Sequence, residues 1–492
     1  VQSAAAPERR GWLAPVLLIV LAVTAARLLA LAFDRTDLFL DESQYWLWGQ
    51  DLAFGYYSKP PLIGWVIRAV TTIAGSEAPF FVRLAAPLAH AATAVLLAAT
   101  AAELAGRRAA VWVAAGYLSL PMVGVGSLLI TTDTIMFPFL ALALWAWLRA
   151  ARGGGAGYAA LAGLGLGLGA MAKYAALYFI LGGALAALLV TEARPGWRAA
   201  GIALGVAFLC LLPNILWNAV NGWPTLHHTA DNMDWVNDPE DRTGLHLGAA
   251  LSFLAAQFGV FGPLSFAGLL ALSARWRRRA AWERAMIATS LPVVALVTVQ
   301  ALLSHAFANW AVAAYLPAAL LLFACAARHP RFGALTVAVN AAICLFLIAL
   351  VIYPEAVVMP NGRALMARYM GRAAVSREII ATARANHLRS VVATSRALQA
   401  DLFYTGRASG LGLYAAPAPG CPAGDTDCYN DQYQMTHPVP PVLPGDALFA
   451  TPGGPPRCGG EKLKVLQPVP GTWQRGPVTL WRVPGDCWVA KG

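Results

Sequence analysis

Eleven apolar runs follow one another along the first 353 residues, at about 12–33, 80–104, 109–130, 134–150, 156–172, 174–191, 199–220, 247–273, 285–304, 310–327 and 333–353. About 20 apolar residues in a helix cover the roughly 30 Å of a bilayer's hydrocarbon. The pattern predicts a polytopic α-helical membrane protein of about 11 to 13 transmembrane helices, the range allowing for a miscounted short pair. Beyond residue 354 the pattern changes. Residues 363–384 read as a helix, and Val391–Thr394 and Val478–Val483 read as strands among Pro-, Gly- and Cys-rich turns. Two domains are expected: 1–353 in the membrane, and 354–492 as a small α/β or α+β domain outside it.

Every second connection between the apolar runs is basic. Arg9-Arg10, Arg107-Arg108, Arg149 with Arg152, Arg194 with Arg198, the Arg275–Arg284 cluster, and Arg328 with Arg331 all fall on one side. Positive charge marks the cytoplasmic side, which predicts a multi-pass membrane protein with its C-terminal domain outside the cytoplasm. The first run is longer than a signal-peptide core and reads as a retained helix; cleaved or retained, it leaves Asp41 outside the cytoplasm. The opposite side gathers Asp41, Glu42, Lys59, Asp133, Lys173, His227, His228, Asp231, Asp234, His305, Asn309 and Trp310. Ionisable groups near membrane depth are costly and mark function.

Composition sharpens this. Only 12% of residues are charged against 58% hydrophobic, and the net charge of +11 sits in short inter-helix clusters, so nucleic acid is no partner. Cys210, Cys325 and Cys344 lie in apolar runs and read as packing residues. Cys421, Cys428, Cys458 and Cys487 share the C-terminal region and predict two disulfides of unspecified pairing in an oxidising compartment. Zinc is the weaker reading, because no C-x-x-C pair occurs. Gly163, Gly165, Gly167 and Gly169 lie inside an apolar run; they read as close helix packing rather than a phosphate loop.

The loop at 34–79 concentrates the chemistry: Leu40-Asp41-Glu42, then Tyr45 and Trp46, then Tyr56-Tyr57-Ser58-Lys59-Pro60-Pro61. After the prolines, Leu62, Trp65, Val66, Ala69, Val70 and Ile73 make one apolar stripe, predicting a short helix along the membrane interface. Each candidate has a plainer reading. Asp41 and Asp133 could cap helices, Lys59 could snorkel to headgroups, Arg83 and Lys173 could anchor at the interface, and Trp310 could belong to an aromatic belt. Their convergence on one side favours a polar substrate.

Several segments are similar to motifs of the polyprenyl-phosphate-dependent glycosyltransferases of the GT-C group, related to protein O-mannosyltransferases (glycosyltransferase families 39 and 83) and including the bacterial aminoarabinose transferase that modifies lipid A. They are Leu40-Asp41-Glu42, Tyr56 to Pro61, Arg83, Thr132-Asp133, Lys173-Tyr174, Asn214 to Trp223, and Asn309-Trp310. The resemblance covers about residues 10–325. It implies inverting transfer of a sugar from a polyprenyl-phosphate donor to a hydroxyl or phosphate of a lipid-linked acceptor such as lipid A, on the periplasmic face. Protein O-glycosylation is the close alternative. A transporter is disfavoured, because no internal repeat is seen.

The same resemblance assigns catalysis to Asp41 as base, with Glu42 and Asp133. It matches Lys59 to the lysine that meets the donor phosphate; the charge growing on that leaving group adds Arg83 and Lys173 as candidates, and Tyr45, Tyr56, Tyr57, His228, Asn309 and Trp310 are the candidates for substrate contact. Some relatives hold a divalent metal through a glutamate before the lysine and a histidine. Ser58 stands at that place here, so no metal site is carried over, although His227 or His228 keeps a divalent metal open as a cofactor.

Overall fold

The structure is a computed structural model that describes residues 11–233, 244–418, 420–425, 428–456 and 458–489. All eleven apolar runs are helical. The chain is a membrane protein. Seven helices among the described residues are long and apolar enough to cross a bilayer, or nine if each of two bent pairs counts as one span. Two further runs form shorter apolar helices, Ala156–Ala172 and Tyr174–Leu189. With the two bent pairs and these two shorter helices the count reaches 11, the lower end of the expected range.

The helices are α1 (Leu13–Ala32), α2 (Leu40–Gln50), α3 (Leu62–Ala74), α4 (Pro79–Arg83), α5 (Ala85–Ala105), α6 (Arg107–Ser119), α7 (Pro121–Leu128), α8 (Thr132–Ala151), α9 (Ala156–Ala172) and α10 (Tyr178–Leu189). They continue as α11 (Trp197–Val220), α12 (Pro224–Asn232), α13 (Leu247–Val260), α14 (Pro263–Ser273), α15 (Ala281–Leu303), α16 (Tyr315–Ala326) and α17 (Pro330–Ile352). Proline placement explains the breaks. Pro121 and Pro263 each open a helix at its first turn, where a missing N–H costs nothing. The chain bends by 59° between α6 and α7 and by 110° between α13 and α14. Gly262, at φ 95°, supplies the left-handed residue for the second bend.

The chain forms two units. The first comprises Val1–Ala32, Lys59–Ile63 and Arg83–Ile348. Its helices pack through small residues: a Cβ on Gly163 would sit 2.3 Å from the Ala203 carbonyl oxygen, and one on Gly165 2.6 Å from that of Phe139. These glycines hold α9 against α11 and α8, as close membrane packing requires.

The second unit comprises Phe33–Ser58, Gly64–Val82 and Ala349–Gly492. It is built on a five-stranded sheet in the order β2-β1-β3-β5-β4. The strands are β1 (Ser390–Ala393), β2 (Gly412–Ala415), β3 (Ala447–Thr451), β4 (Glu461–Leu466) and β5 (Val478–Val483). β1 pairs parallel with β2 and β3, while β5 pairs antiparallel with β3 and β4. Two further helices, α18 (Arg372–Ala385) and α19 (Arg396–Thr405), cover one face. There Val375, Ile379, Ile380, Leu398 and Leu402 pack with Leu448, Leu466 and Leu480. Disulfides join Cys421 to Cys428 and Cys458 to Cys487.

The segment that holds α2 is part of this second unit. Asp37 caps α18, its Oδ2 accepting the Arg372 N–H at 2.7 Å. The Tyr404 hydroxyl donates to the Glu77 carbonyl at 2.6 Å, and Trp46 meets the Tyr404 ring edge-on at 5.1 Å. Gly49 lets α2 cross α3 closely, since a Cβ there would lie 2.9 Å from the Gly64 carbonyl oxygen.

Candidate active site

In the second unit the acidic pair opens α2, and its members have different surroundings. Glu42 is buried, and its Oε2 accepts the Phe39 N–H at 2.9 Å. A carboxylate three residues into a helix reaching back to the N-cap amide is a capping contact. The Asp41 side chain is 42% exposed and makes an ion pair instead, with Oδ1 accepting from Arg396 Nη2 at 2.5 Å. Asp41 is therefore not the cap of α2. The Arg396 Nε donates to Gln44 Oε1 at 2.7 Å, and Gln44 Nε2 lies 3.4 Å from Ser58 Oγ.

The aromatic residues beside the pair divide in the same way. Tyr56 is buried, stacks on Trp48 at 4.7 Å, and donates its hydroxyl to the Trp48 carbonyl at 2.6 Å. Burial pushes the Tyr56 pKa up to about 12. Tyr45 is also buried, 5.0 Å from Trp48. These two rings build the floor of the segment. Tyr57 is partly exposed; its N–H donates to Gln432 Oε1 at 2.7 Å and its ring meets Tyr429 at 5.8 Å.

In the first unit the centre is Asp133, in the opening turn of α8. Thr131 caps this helix, its Oγ1 accepting the Thr134 N–H at 3.2 Å. Asp133 is thus free of the capping duty that its position suggested. Its two oxygens accept from Lys173 Nζ at 2.8 and 2.9 Å, and Oδ2 also accepts from Asn309 Nδ2 at 3.1 Å. Both charged side chains are largely buried, 15% exposed for Lys173 and 11% for Asp133. Lys173 lies at the junction after α9, and Asn309 in a short 3-10 turn, Ala308–Ala314. Trp310 packs at 5.8 Å from His305 and 5.6 Å from Phe307.

A second network lies beside Lys173. The Tyr174 hydroxyl donates to Asn214 Oδ1 at 2.5 Å, and Asn218 Oδ1 accepts the Thr225 N–H at 3.3 Å. Gly222 and Trp223, both at positive φ, turn α11 into α12. His227 is exposed on α12 and His228 is part-buried. Lys59 is part-buried and Arg83 is 1% exposed. Among the described residues no three His, Cys, Asp or Glu converge as metal ligands; Asp234 lies outside them.

An apolar cavity of about 700 Å³ is lined by Ala143, Trp147, Leu166, Ile180 and Leu204, with Arg194 and Trp197 also on its wall. It begins about 15 Å along α8 from Asp133, at 1.5 Å per residue.

The dolichyl-phosphate-mannose-protein mannosyltransferase family matches residues 58–217. The lipid A galacturonosyltransferase RgtD of Rhizobium johnstonii (strain DSM 114642 / LMG 32736 / 3841) is 39% identical over 477 residues, 96% of this chain and 98% of that protein. The chain belongs to the GT-C glycosyltransferases. Its fold is that of ArnT from Cupriavidus metallidurans in the apo state, with a TM-score of 0.63 at 14% identity over 98% of this chain and 99% of that one. The region matched by the family contains Lys59, Arg83, Asp133 and Lys173, while Asp41 and Asn309 lie outside it.

The partners of the candidate acid left no motif in the sequence. Arg396 donates to both Asp41 and Gln44, and Gln432 accepts the Tyr57 N–H, yet none stands in a recognisable motif. Arg396 is 355 positions from Asp41, and a pairing at that distance leaves no local pattern. Gln44 carried a signal: it lies three residues after Asp41, on the same face of α2.

Proposed function

We propose that this glycosyltransferase moves a sugar from a polyprenyl-phosphate donor to lipid A, at the periplasmic face of the inner membrane. The observation that carries this reading is the identity of 39% over nearly the whole chain with a protein named as a lipid A galacturonosyltransferase. That name also suggests a galacturonosyl group as the sugar.

In the proposed chemistry, Asp41 takes the proton of the acceptor hydroxyl as that oxygen attacks the anomeric carbon. The phosphate departs from the opposite face, so the configuration inverts. A general base contributes about 10²–10⁴-fold, and its carboxylate must be within reach of solvent or substrate. The partly exposed Asp41 carboxylate suits that task better than the buried, capping Glu42. Lys59 and Arg83 are assigned to the leaving phosphate, whose charge grows in the transition state. Lys173 is held by Asp133, whose Oδ2 also accepts from Asn309, so its share is to present a neutralised, oriented ammonium rather than a loose cation. Tyr57, His228 and Trp310, all part-exposed, are the candidates for sugar contact. The apolar cavity along α8 suits an isoprenoid tail.

The test is purified full-length protein in lipid nanodiscs, given a panel of synthetic polyprenyl-phosphate sugars with lipid A or an acceptor peptide. Mass spectrometry of the products reads the outcome. Glycosylated lipid A, with galacturonate the preferred sugar, is expected. Transfer to the peptide alone would overturn the lipid-acceptor reading in favour of protein O-glycosylation.

A further inference from the structure

The C-terminal domain reaches the candidate base directly. Arg396 is the first residue of α19, placed there by Ser395, whose hydroxyl accepts the Leu398 N–H at 3.4 Å. Its guanidinium meets two acceptors on α2: Nη2 at 2.5 Å from Asp41 Oδ1 and Nε at 2.7 Å from Gln44 Oε1. Those acceptors are three residues apart and therefore share one face of the helix. A planar fork of donors is the group whose geometry fits such a pair, which a flexible ammonium does not match.

The consequences for the carboxylate are specific. Asp41 Oδ1 is occupied by the guanidinium, while Oδ2 has no hydrogen-bond partner among the described residues and the side chain is 42% exposed. One oxygen anchors and the other is presented. Through Gln44 the same guanidinium extends to Ser58 Oγ at 3.4 Å, the residue that precedes Lys59. Gln432, from the same domain, holds the backbone of Tyr57 at 2.7 Å. As a stability device the exposed ion pair is minor, since such pairs contribute about 0–1 kcal/mol.

We infer that Arg396 is a positioning residue for the transfer reaction: its guanidinium fixes the rotamer of Asp41, with Gln44 as the second point of the fork, so that Oδ2 faces the acceptor hydroxyl. The inference rests on the reading of Asp41 as the base. It gives the C-terminal domain a direct part in the reaction.

The experiment uses the full-length protein in nanodiscs, with whichever polyprenyl-phosphate sugar the wild type turns over fastest. Arg396→Gln, Arg396→Lys, Asp41→Asn and Lys464→Ala are compared, with kcat and donor KM measured separately and normalised to folded protein. The last variant removes another exposed ion pair of the same domain, Lys464 with Glu378 at 2.7 Å. Arg396→Gln is expected to lower kcat by about 10²-fold with donor KM unchanged, the scale of a 1 Å misplacement of a reacting group. Arg396→Lys is expected to fall between it and wild type, and Lys464→Ala to match wild type. Wild-type kcat in Arg396→Gln, with Asp41→Asn inactive, overturns the inference alone. Full activity in Asp41→Asn removes the base, and the inference with it. If Arg396→Gln does not fold, Arg396→Lys decides: reduced kcat at constant KM supports the role, and wild-type kcat ends it.

Discussion

Lys173 Nζ donates to both carboxylate oxygens of Asp133, at 2.8 and 2.9 Å, and Asn309 Nδ2 donates to the same carboxylate's Oδ2 at 3.1 Å. Both charged side chains are largely buried. A pair of this kind offers little stability over an apolar replacement, but removing one partner strands the other charge. Asp133→Asn and Lys173→Met should each lower the melting temperature and the rate, while the double variant should be less damaged than the sum predicts. Contacting residues couple by about 0.5–3 kcal/mol. A double-mutant cycle on thermal unfolding measures it; strict additivity would mean that the contact carries no energy.

The two acids of α2 should separate cleanly by mutation. Asp41→Asn keeps size and hydrogen bonding but loses the base, so kcat should fall by about 10²–10⁴-fold with donor binding retained. Equilibrium binding of a labelled donor alongside single-turnover rates checks this. Retained turnover would rule Asp41 out.

Glu42 should behave as a cap. Its buried carboxylate accepts the Phe39 N–H, a duty an amide oxygen also performs. Glu42→Gln should therefore stay close to wild type in kcat, and Glu42→Ala should cost about 1 kcal/mol of stability, within the range for lost caps. Measured melts and rates discriminate: a Gln variant as inactive as Asp41→Asn would make Glu42 part of the chemistry.

The two disulfides close loops of different length, with sequence separations of 7 for Cys421–Cys428 and 29 for Cys458–Cys487. Loop-closure entropy gives about 2.4 kcal/mol for the shorter and about 3.6 kcal/mol for the longer. Replacing Cys458 and Cys487 together by Ser should lower the midpoint of the domain's unfolding more than replacing Cys421 and Cys428. Equal shifts would contradict the entropic ranking.

How much of this was legible in the sequence depends on range. The apolar runs were legible because hydropathy is summed over some twenty neighbours, and the strands at Val391 and Val478 because short β-branched stretches between turn residues are a local signal. The break in the run at 247–273 had a local signal too: Gly262-Pro263 combines a left-handed residue with a ring that starts a helix afresh. That signal was outweighed by continuous hydrophobicity. In Thr131-Thr132-Asp133-Thr134 any of several oxygens can cap; only the fold shows that Thr131 does, which releases Asp133 to Lys173. The disulfide pairing and the Asp41–Arg396 bond depend on how distant segments meet, which no periodicity encodes.

His437 makes the second unit sensitive to acid. Its ring packs against Phe403 at 4.9 Å, and burial holds its pKa below the ordinary value, with only a smaller upward pull from Asp51. The folded state thus favours the neutral ring. The unfolded chain binds the proton more readily, at about pH 6.5. Stability from this group is therefore complete above that value and is lost as pH falls toward the lower folded-state pKa. Thermal unfolding at about pH 7.5 and about pH 5.5 should show a lower midpoint in acid. His437→Gln, neutral at both, should narrow the difference. An unchanged gap in that variant would assign the acid sensitivity to other groups.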